Sequence, residues 1–411
     1  MKPAPRPNRV RRANNILMTC PGDAGHGGVQ VVFRDLIRSL ERAGRHVDLL
    51  YPAPATSLRL RQADNSWGRR VFYCPLPTLV KGSLLLSAPL ALVFAPLAFF
   101  HLVRVLRRRR IDVINGHYLA EYFVHLALAA RLLRLPFIVS VHGADVDRYE
   151  RVRPAQRLLL RLIMRGAHRI VACSAAMAEQ TARVFPSARA KIAHVHNGVL
   201  LEDLPDSQET VAGGTAQFVL CVCRQVAKKG VDTLLRAFAR IQPEFPEVSL
   251  VIAGDGPELD NHRGLARTLG LEGAVRFLGD RSRQEILPYF SACSLFVLPS
   301  RAEPFGLVLL EAARYRRPIV CTAVGGVPEI ITDSVSGFIV PPDDPGAMAQ
   351  KMATLLRDPH LGARLGARAH ETLLARFRWE DRVQDYLAVY EHDQHGNAVA
   401  LPVSHQPLWN R

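Results

Sequence analysis

This sequence is poor in cysteine, poor in acidic residues over its first half, and without an apolar stretch near its start, and each shortage excludes a class of protein. The seven cysteines are odd in number and scattered among apolar segments, which excludes a disulfide-stapled module and predicts buried, reduced thiols. Cys221 and Cys223 form one C-x-C pair with no second Cys/His cluster, so core packing is favoured over a metal–thiolate site. Residues 1–13 are rich in Pro and Arg without an apolar core, which predicts a disordered basic arm and a cytoplasmic protein instead of a secreted one.

The shortage of acidic residues is confined to one half, and this asymmetry indicates an anionic partner. Residues 1–200 hold 31 basic and 11 acidic residues, whereas residues 201–411 hold 22 and 26. Nucleic acid, an anionic membrane and an acidic ligand would each suit the N-terminal excess of positive charge. Charge alone does not choose among them.

The one long apolar segment is interrupted by proline. Residues 82–103 contain no Asp, Glu, Lys or Arg over 22 positions, which is long enough for a transmembrane candidate. Pro89 and Pro96 interrupt the segment, and a crossing would place strands before and after it on opposite sides of the membrane, which one sheet does not allow. Two readings stay open: a buried helix pair, or a surface-lying apolar face beside an Arg cluster that meets anionic lipid headgroups.

Short apolar runs alternate with amphipathic helical patterns, which predicts an α/β chain with parallel sheets. The 411 residues exceed what one core usually serves, so two or at most three domains are expected. The predicted divisions are 1–13 (arm), 14–200 (first Rossmann-like domain), 201–216 (linker), 217–376 (second Rossmann-like domain), 377–395 (C-terminal helix) and 396–411 (tail). Strands are predicted at 15–19, 46–51, 111–115, 137–141, 169–174 and 191–196, and again at 218–223, 248–254, 274–279, 294–300 and 318–323.

Two motifs follow strands of the first domain, where ligands of such sheets bind. The strand NILMTC leads into a turn with Gly25, Gly27 and Gly28, which suits a ligand at a helix N-terminus and equally suits the geometry of a tight turn. The turn matches neither the dinucleotide fingerprint nor a Walker A loop. The strand FIVSV ends in His142-Gly143-Ala144-Asp145, and the D-x-D pair at 145–147 lacks further acidic ligands, so no metal site is predicted.

The second domain carries a cationic turn and a pair of glutamates. Arg224, Lys228 and Lys229 follow the strand FVLCVC and precede a helix, an arrangement that suits a diphosphate, with Lys228 expected to be solvated. Glu303 follows the strand SLFVLPS, and Glu311 lies eight positions later inside an otherwise apolar helical stretch. A carboxylate buried in this way needs a partner, and a ligand hydroxyl is a suitable one.

The motifs CRQVAKKG, AGDGPE, LPSRAEPFGLVLLEA and VGGVPEI occur in this order, and together they closely resemble the nucleotide-sugar domain of retaining glycosyltransferases of family 4. The resemblance is strong over 217–345 and looser at GHGG, HGAD and the Asn-Gly-Val segment starting at residue 197. It implies the GT-B fold, in which an acceptor-binding and a donor-binding Rossmann-like domain face each other across a cleft and the C-terminal helix packs back on the first. It also implies retaining, metal-independent transfer of a hexose-type sugar from a UDP- or GDP-sugar to a glycan or lipid-linked hydroxyl, in cell-surface polysaccharide or glycolipid biosynthesis.

The resemblance assigns roles by position. Glu303 would contact the transferred sugar, Glu311 the ribose, Arg224 and Lys229 the diphosphate, His142 the sugar near the reaction centre, and Gly28 the junction of donor and acceptor. The further donor-binding positions would be the amides of Phe305, Gly306 and Leu307 together with Gly27, Asp145 and Gly254. No cofactor and no metal are expected. Cys223 stands where the family usually has Gly, which predicts a narrower approach to the phosphates, and Leu200 stands where the family usually has Asp.

Three alternatives compete with this reading. An epimerase or hydrolase acting on a nucleotide sugar could use the same fold, and it would release product sugar without an acceptor. A basic membrane- or nucleic-acid-binding protein would explain the charge but not the glutamate pair, and aromatic residues make up only 7% of the chain, so no nucleic-acid partner is predicted. The turn has His26 and no Lys before Gly27, which disfavours a glycogen-synthase-like activity.

Peripheral contact with an anionic membrane is predicted through residues 82–110, on the inner face of the cytoplasmic membrane.

Overall fold

A computed structural model describes residues 13–20, 27–53, 61–64, 70–75, 84–201 and 217–391. The predicted arm, linker and tail lie, apart from Ala13 and Leu201, outside the described residues. The chain divides into two units, one of Met1–His196 with Trp379–Arg411 and one of Asn197–Arg378.

The first unit is built on an eight-stranded sheet in the order β3-β4-β2-β1-β5-β6-β7-β8, parallel except at the edge pair β3–β4. Its strands are β1 (Asn15–Thr19), β2 (His46–Ala53), β3 (Arg61–Asp64), β4 (Arg70–Pro75), β5 (Val113–His117), β6 (Phe137–Val141), β7 (Arg169–Ala172) and β8 (Ile192–His194). Its helices are α1 (Gly28–Arg42), α2 (Leu84–Arg108), α3 (Phe123–Leu133), α4 (Ala144–Asp147), α5 (Pro154–Gly166), α6 (Ala175–Val184) and α14 (Trp379–Tyr390). The predicted alternation of strand and helix is confirmed, whereas β3 and β4 were not predicted.

Strand β5 begins and ends two residues later than predicted. The reason is that its polar side chains form hydrogen bonds with other residues of the first unit. Asp112 lies before the strand, where its carboxylate accepts the backbone N–H groups of Asn14 and Asn15 at 3.0 Å each. The strand continues through Asn115 and His117, whose buried side chains are hydrogen-bonded to other buried groups. Asn-Gly-His is typical of a turn in sequence, and only these buried partners make a strand of it.

The helices cover the sheet on two sides. Helices α3 and α5 connect β5 to β6 and β6 to β7, moving in one direction, so right-handed crossovers place both on one face. Helix α1 connects β1 to β2 in the other direction, and α14 packs against it. Of the two readings left open for residues 82–103, the pair of helices does not occur, since α2 is one helix that runs without a break through Pro89 and Pro96. Burial of its second half at Ala98, Leu102 and Leu106 compensates for the hydrogen bonds that proline removes.

The second unit is built on a six-stranded parallel sheet in the order β11-β10-β9-β12-β13-β14. Its strands are β9 (Phe218–Val222), β10 (Ser249–Ala253), β11 (Val275–Gly279), β12 (Leu295–Leu298), β13 (Ile319–Thr322) and β14 (Phe338–Val340). Its helices are α7 (Val231–Ile241), α8 (Leu259–Thr268), α9 (Arg283–Ala292), α10 (Leu307–Arg314), α11 (Val327–Ile330), α12 (Pro345–Arg357) and α13 (Pro359–Arg376). The five predicted strands lie within two residues of the observed ones, and the three-residue β14 was not predicted.

The boundary between the units lies four residues before the predicted one. Val199 N–H donates to Phe377 O at 2.9 Å, and the Arg314 guanidinium donates to Leu200 O at 3.1 Å. These bonds tie the segment after His196 to the second unit. The prediction of buried cysteines is confirmed, because all seven are buried.

Candidate functional site

The strand order of the second unit reverses between β9 and β12, and the predicted diphosphate and sugar residues follow these two strands. The chain proceeds from β9 outward to β11 and then returns to place β12 beside β9. Such a reversal opens a crevice at the carboxyl ends of the strands. The segment 224–230 leaves β9 there, and the segment 299–306 leaves β12.

Lys229 and Glu303, which are 74 positions apart, form an ion pair at this point. Lys229 Nζ lies 2.5 Å from Glu303 Oε2, with side chains 17% and 10% exposed, and Ser300 Oγ donates to the same carboxylate oxygen at 3.3 Å. Burial lowers the pKa of Lys229, but the charge and hydrogen bond of Glu303 outweigh it and leave that pKa raised. The raised pKa keeps the Lys229 ammonium group charged near pH 7.

Arg301, whose role the sequence did not indicate, joins the two loops. Its guanidinium donates to both carboxylate oxygens of Asp232 at 2.7 and 2.8 Å, to Asp343 Oδ1 at 2.6 Å and to Ala227 O at 2.6 Å. Its own backbone N–H donates to Lys228 O at 2.8 Å. Burial raises the pKa of Asp232, but the Arg301 bonds lower it by more and keep the carboxyl ionised. Arg301 thus holds the loop that carries Lys229 against the loop that carries Glu303.

Glu311 also has a partner that the sequence did not indicate. It lies on α10 with a side chain 9% exposed, and its Oε1 is 3.5 Å from Nε of Arg283, the first residue of α9. Gly306 caps α10 with a φ of +101°, and Phe305 before it is buried. Phe305, Gly306 and Leu307 thus stand at the N-terminus of α10, where the positive end of the helix dipole lies.

The four motifs of the second unit (CRQVAKKG, AGDGPE, LPSRAEPFGLVLLEA and VGGVPEI) approach one another closely at three glycines. A Cβ on Gly230 would lie 2.1 Å from Pro299 O, a Cβ on Gly325 would lie 1.8 Å from Glu303 O, and a Cβ on Gly254 would lie 2.0 Å from Cys223 O. All three glycines have positive φ, so both space and backbone conformation require glycine there. The backbone turns of these motifs are packed on one another around the ends of β9 and β12.

Cys223 and Arg224 point to different environments. The Cys223 thiol belongs to the hydrophobic core, with its Sγ 3.8 Å from that of Cys221, whereas Arg224 is exposed. The Cys223 thiol thus packs in the core, and the expected narrowing of the approach to the phosphates stays a prediction. Leu200, at the other departure from the family pattern, is buried.

The predicted residues of the first unit are organised around a second, buried network. His142 Nε2 lies 3.1 Å from Nδ1 of His117, whose Nε2 lies 3.1 Å from Asn115 Nδ2. Asn115 in turn donates to the Tyr390 hydroxyl of α14 at 2.6 Å. Burial lowers the pKa of His142 and, together with repulsion between the two rings, lowers that of His117 well below its ordinary value. Both imidazoles are neutral near pH 7, and His117 was not predicted because it lies in what the sequence presents as a turn.

Asp145, Gly27 and Gly28 serve local structure in this unit. Asp145 accepts the N–H groups of His142 and Leu119 at 3.0 and 2.9 Å, which fixes the turn after β6. Gly27 is the N-cap of α1, and Gly28 is its exposed first residue. Among the residues that the structure describes, no three His, Cys, Asp or Glu side chains converge as ligands of one metal ion.

Comparison with known proteins extends over both units. A model of "Glycosyltransferase Family 4" matches residues 26–203, and one of "Glycosyl transferases group 1" matches residues 205–372. D-inositol 3-phosphate glycosyltransferase of Kribbella flavida is 30% identical over 396 residues, which cover 90% of this chain and 92% of that protein. Glycogen synthase of Mycobacterium tuberculosis is 28% identical over 303 residues, 72% of each chain.

The fold is shared with solved structures. The HepE protein of Anabaena, solved in complex with UDP-glucose, aligns with a TM-score of 0.68 at 20% identity, covering 91% of this chain and 99% of that one. At this identity the similarity shows the fold alone. Two adjoining domain matches, and a 30% identical relative covered over nearly its whole length, show that the chain is a glycosyltransferase of the GT-B type and belongs to glycosyltransferase family 4.

Proposed function

We propose that this enzyme transfers a hexose-type sugar from a UDP- or GDP-sugar to a hydroxyl of a glycan or lipid-linked acceptor, with retention of configuration and without a metal. The observation that carries the proposal is the Lys229–Glu303 pair at the switch point of the donor-side sheet, with Arg224 on the same loop. Synthesis of a cell-surface polysaccharide or glycolipid is the process that such an acceptor would serve.

Lys229 and Arg224 suit the departing diphosphate. Breaking a glycosyl–phosphate bond builds negative charge on the leaving group, and fixed cations aimed at that group stabilise the transition state. Burial and its carboxylate partner hold the Lys229 ammonium in place before a ligand arrives, so little reorganisation is needed during the reaction. These cations could supply the charge that a divalent metal supplies elsewhere.

The two glutamates suit the hydroxyl groups of the donor. Glu311 is nearly buried beside Arg283, where ribose hydroxyls could donate to its carboxylate. Glu303 has one oxygen bonded to Lys229 and Ser300, and the sugar hydroxyls could use its remaining lone pairs. The structurally similar HepE protein was solved with UDP-glucose bound, which supports a nucleoside diphosphate sugar as the donor class.

Glu303 is not proposed as a nucleophile. An ammonium group 2.5 Å from its Oε2 withdraws the electron density that attack on an anomeric carbon would need. Retention would instead follow from attack of the acceptor hydroxyl on the face that the diphosphate leaves, with a phosphate oxygen taking the proton.

A transfer assay tests this proposal. The full chain is incubated with UDP- and GDP-hexoses, with and without EDTA, and with soluble sugar and inositol acceptors, while nucleoside diphosphate release and the anomeric configuration of the product are measured. We expect one donor series to support acceptor-dependent, EDTA-insensitive release with retention. Glu303→Gln should reduce the rate at least about 100-fold. Glu272→Gln, which removes an exposed carboxylate of the same unit, should leave the rate unchanged.

Three results would count against the proposal. Sugar released at the same rate without an acceptor would favour the hydrolase or epimerase alternative. A product of inverted configuration would remove the retaining mechanism, and an unchanged rate for Glu303→Gln would remove the assigned role of that residue.

A further inference from the structure

Exposed apolar side chains concentrate on three helices of the first unit. Within the described ranges, eight large hydrophobic side chains are exposed, and six of them lie on α2, α3 and α5. Those six are 47–59% exposed: Leu97, Phe100, Leu128, Leu132, Leu158 and Leu162. Single exposed leucines are common on any protein, but a cluster of this kind marks an interaction surface.

The same pattern occurs on two of these helices. Helix α3 exposes Leu128, Arg131 and Leu132, and α5 exposes the same Leu-Arg-Leu order at positions 158, 161 and 162. Positions i, i+3 and i+4 share one face of a helix, so each helix displays two leucines around one arginine. The opposite faces of both helices are also apolar and pack in the core, for example at Leu126 and Ile163. Burial against the sheet therefore does not explain the outer leucines.

The three outer faces form one surface. Helix α3 packs against α2 on one side and against α5 on the other. Between α3 and α5 lies a partly open cavity of about 550 Å³, whose lining includes Ala127, Leu128, Leu162, Arg131 and Arg134. An apolar depression beside two guanidinium groups suits a phospholipid, because the depression can hold an acyl chain and the guanidinium groups can bind the phosphate.

The charge of this surface has one sign. Helices α2, α3 and α5 contain seven arginines and no aspartate or glutamate. Helix α2 continues the pattern, since Arg104 follows Leu97 and Phe100 on the same exposed face. Guanidinium groups interleaved with leucines match a layer that presents phosphates over hydrocarbon.

We propose that the outer faces of α2, α3 and α5 dock on an anionic phospholipid bilayer, with the leucines and Phe100 entering the acyl layer, the arginines on lipid phosphates, and one acyl chain in the cavity between α3 and α5. A second copy of this chain would bring like charges together across a two-fold interface. Nucleic acid offers no partner for the exposed leucines. Among the described residues, no helix qualifies as a membrane span. The docking surface proposed here extends beyond the membrane contact predicted for residues 82–110, and it does not depend on the sugar or acceptor proposed above.

Liposome flotation with the full chain tests the docking surface. We expect the chain to float with vesicles containing phosphatidylglycerol at low ionic strength, and not with vesicles of phosphatidylcholine alone. Leu132→Asp combined with Leu162→Asp should reduce binding at least about tenfold, because each places a charge in the acyl layer. The matched control is Leu374→Asp, which alters an exposed leucine of the second unit and should float like the unmodified chain. Circular dichroism of each variant verifies folding, which exposed positions should preserve.

A second pair of variants separates insertion from charge. Brominated acyl chains should quench the tryptophan fluorescence that Leu162→Trp adds to the chain, whereas they should not quench the fluorescence that Leu374→Trp adds. Arg131→Gln combined with Arg165→Gln should weaken flotation more than the exposed control Arg364→Gln. The proposal is overturned if the chain does not float with anionic vesicles, if the double aspartate variant floats as well as its control, or if brominated lipid fails to quench the fluorescence that Leu162→Trp adds to the chain. If the arginine variant lost flotation but the leucine variant did not, the contact would be electrostatic adhesion without insertion, and the proposal would also be overturned.

Discussion

Removal of the Lys229 charge should destabilise the second unit, because the variant leaves a buried carboxylate unpaired. Lys229→Met keeps most of the aliphatic stem and removes the ammonium that lies 2.5 Å from Glu303 Oε2. The Glu303 side chain is only 10% exposed, so water replaces the lost partner poorly. The Ser300 hydroxyl at 3.3 Å then provides a weaker, uncharged hydrogen bond.

The size of the effect follows from this burial. Breaking a buried ion pair by removing one partner costs about 3–5 kcal/mol. For a unit of roughly 180 residues, each kcal/mol lowers the melting temperature by about 2–4 °C, so the second unit should melt roughly 6–20 °C lower. Adding Glu303→Gln removes the stranded charge, so the double variant should melt above Lys229→Met. The corresponding coupling energy is about 2–3 kcal/mol.

Thermal unfolding followed by circular dichroism measures this cycle in the unmodified chain, the two single variants and the double variant. Lys228→Met is the matched control, since it removes the neighbouring positive charge and leaves the Lys229–Glu303 pair in place, so it should destabilise the unit less than Lys229→Met does. If the costs of the two single variants add within about 0.5 kcal/mol, the side chains are not energetically coupled and the reasoning is refuted.

Three further predictions concern protonation, backbone space and loop positioning. Burial lowers the pKa of His117, so below about pH 6.5 the unfolded chain binds a proton that the folded chain does not. The free energy of unfolding, measured by urea titration, should therefore fall as the pH drops below this value. This fall should be shallower in His117→Asn. Gly325→Ala would place a methyl carbon 1.8 Å from a carbonyl oxygen and should lower the melting temperature, whereas Gly273→Ala, with nothing within 4 Å, should not, and equal midpoints would contradict the packing argument. Arg301→Lys keeps the charge but loses the two-point contact with Asp232, so it should raise KM for the donor more than it lowers kcat in the transfer assay, and unchanged kinetics would argue against a positioning role.

Strands built from continuous apolar runs were predictable because their residues prefer extended, buried backbone in any context. The run FIVSV at 137–141 matches β6 residue for residue, and all five of its residues are buried. Strands β3 and β14 were not predicted, because RQAD lacks an apolar run and FIV is too short to stand out. Strand β4 was also not predicted, although its VFYC run is apolar. The end of β5 was also not predicted, because only its buried partners turn Asn-Gly-His into strand.

The partners of the site residues could not be predicted, although several of the residues themselves could. Glu303 and Lys229 were both expected near the donor, but their ion pair exists only because crossovers return β12 to the side of β9. Arg283 beside Glu311, and Tyr390 bonded to Asn115 across 275 positions, carried no signal in the sequence at all.

By itself, the sequence determined the alternation of strand and helix, the glycine turns, the surplus of arginine in the first half and the resemblance to a family, because each depends on residue types over short stretches. Only the tertiary structure decided which of these stretches meet. The leucine and arginine patterns of α2, α3 and α5 become one surface only because α3 packs between the other two. Local sequence specifies backbone preference and burial, whereas contacts between distant residues depend on the order of strands in the sheet and on the handedness of the connections between them.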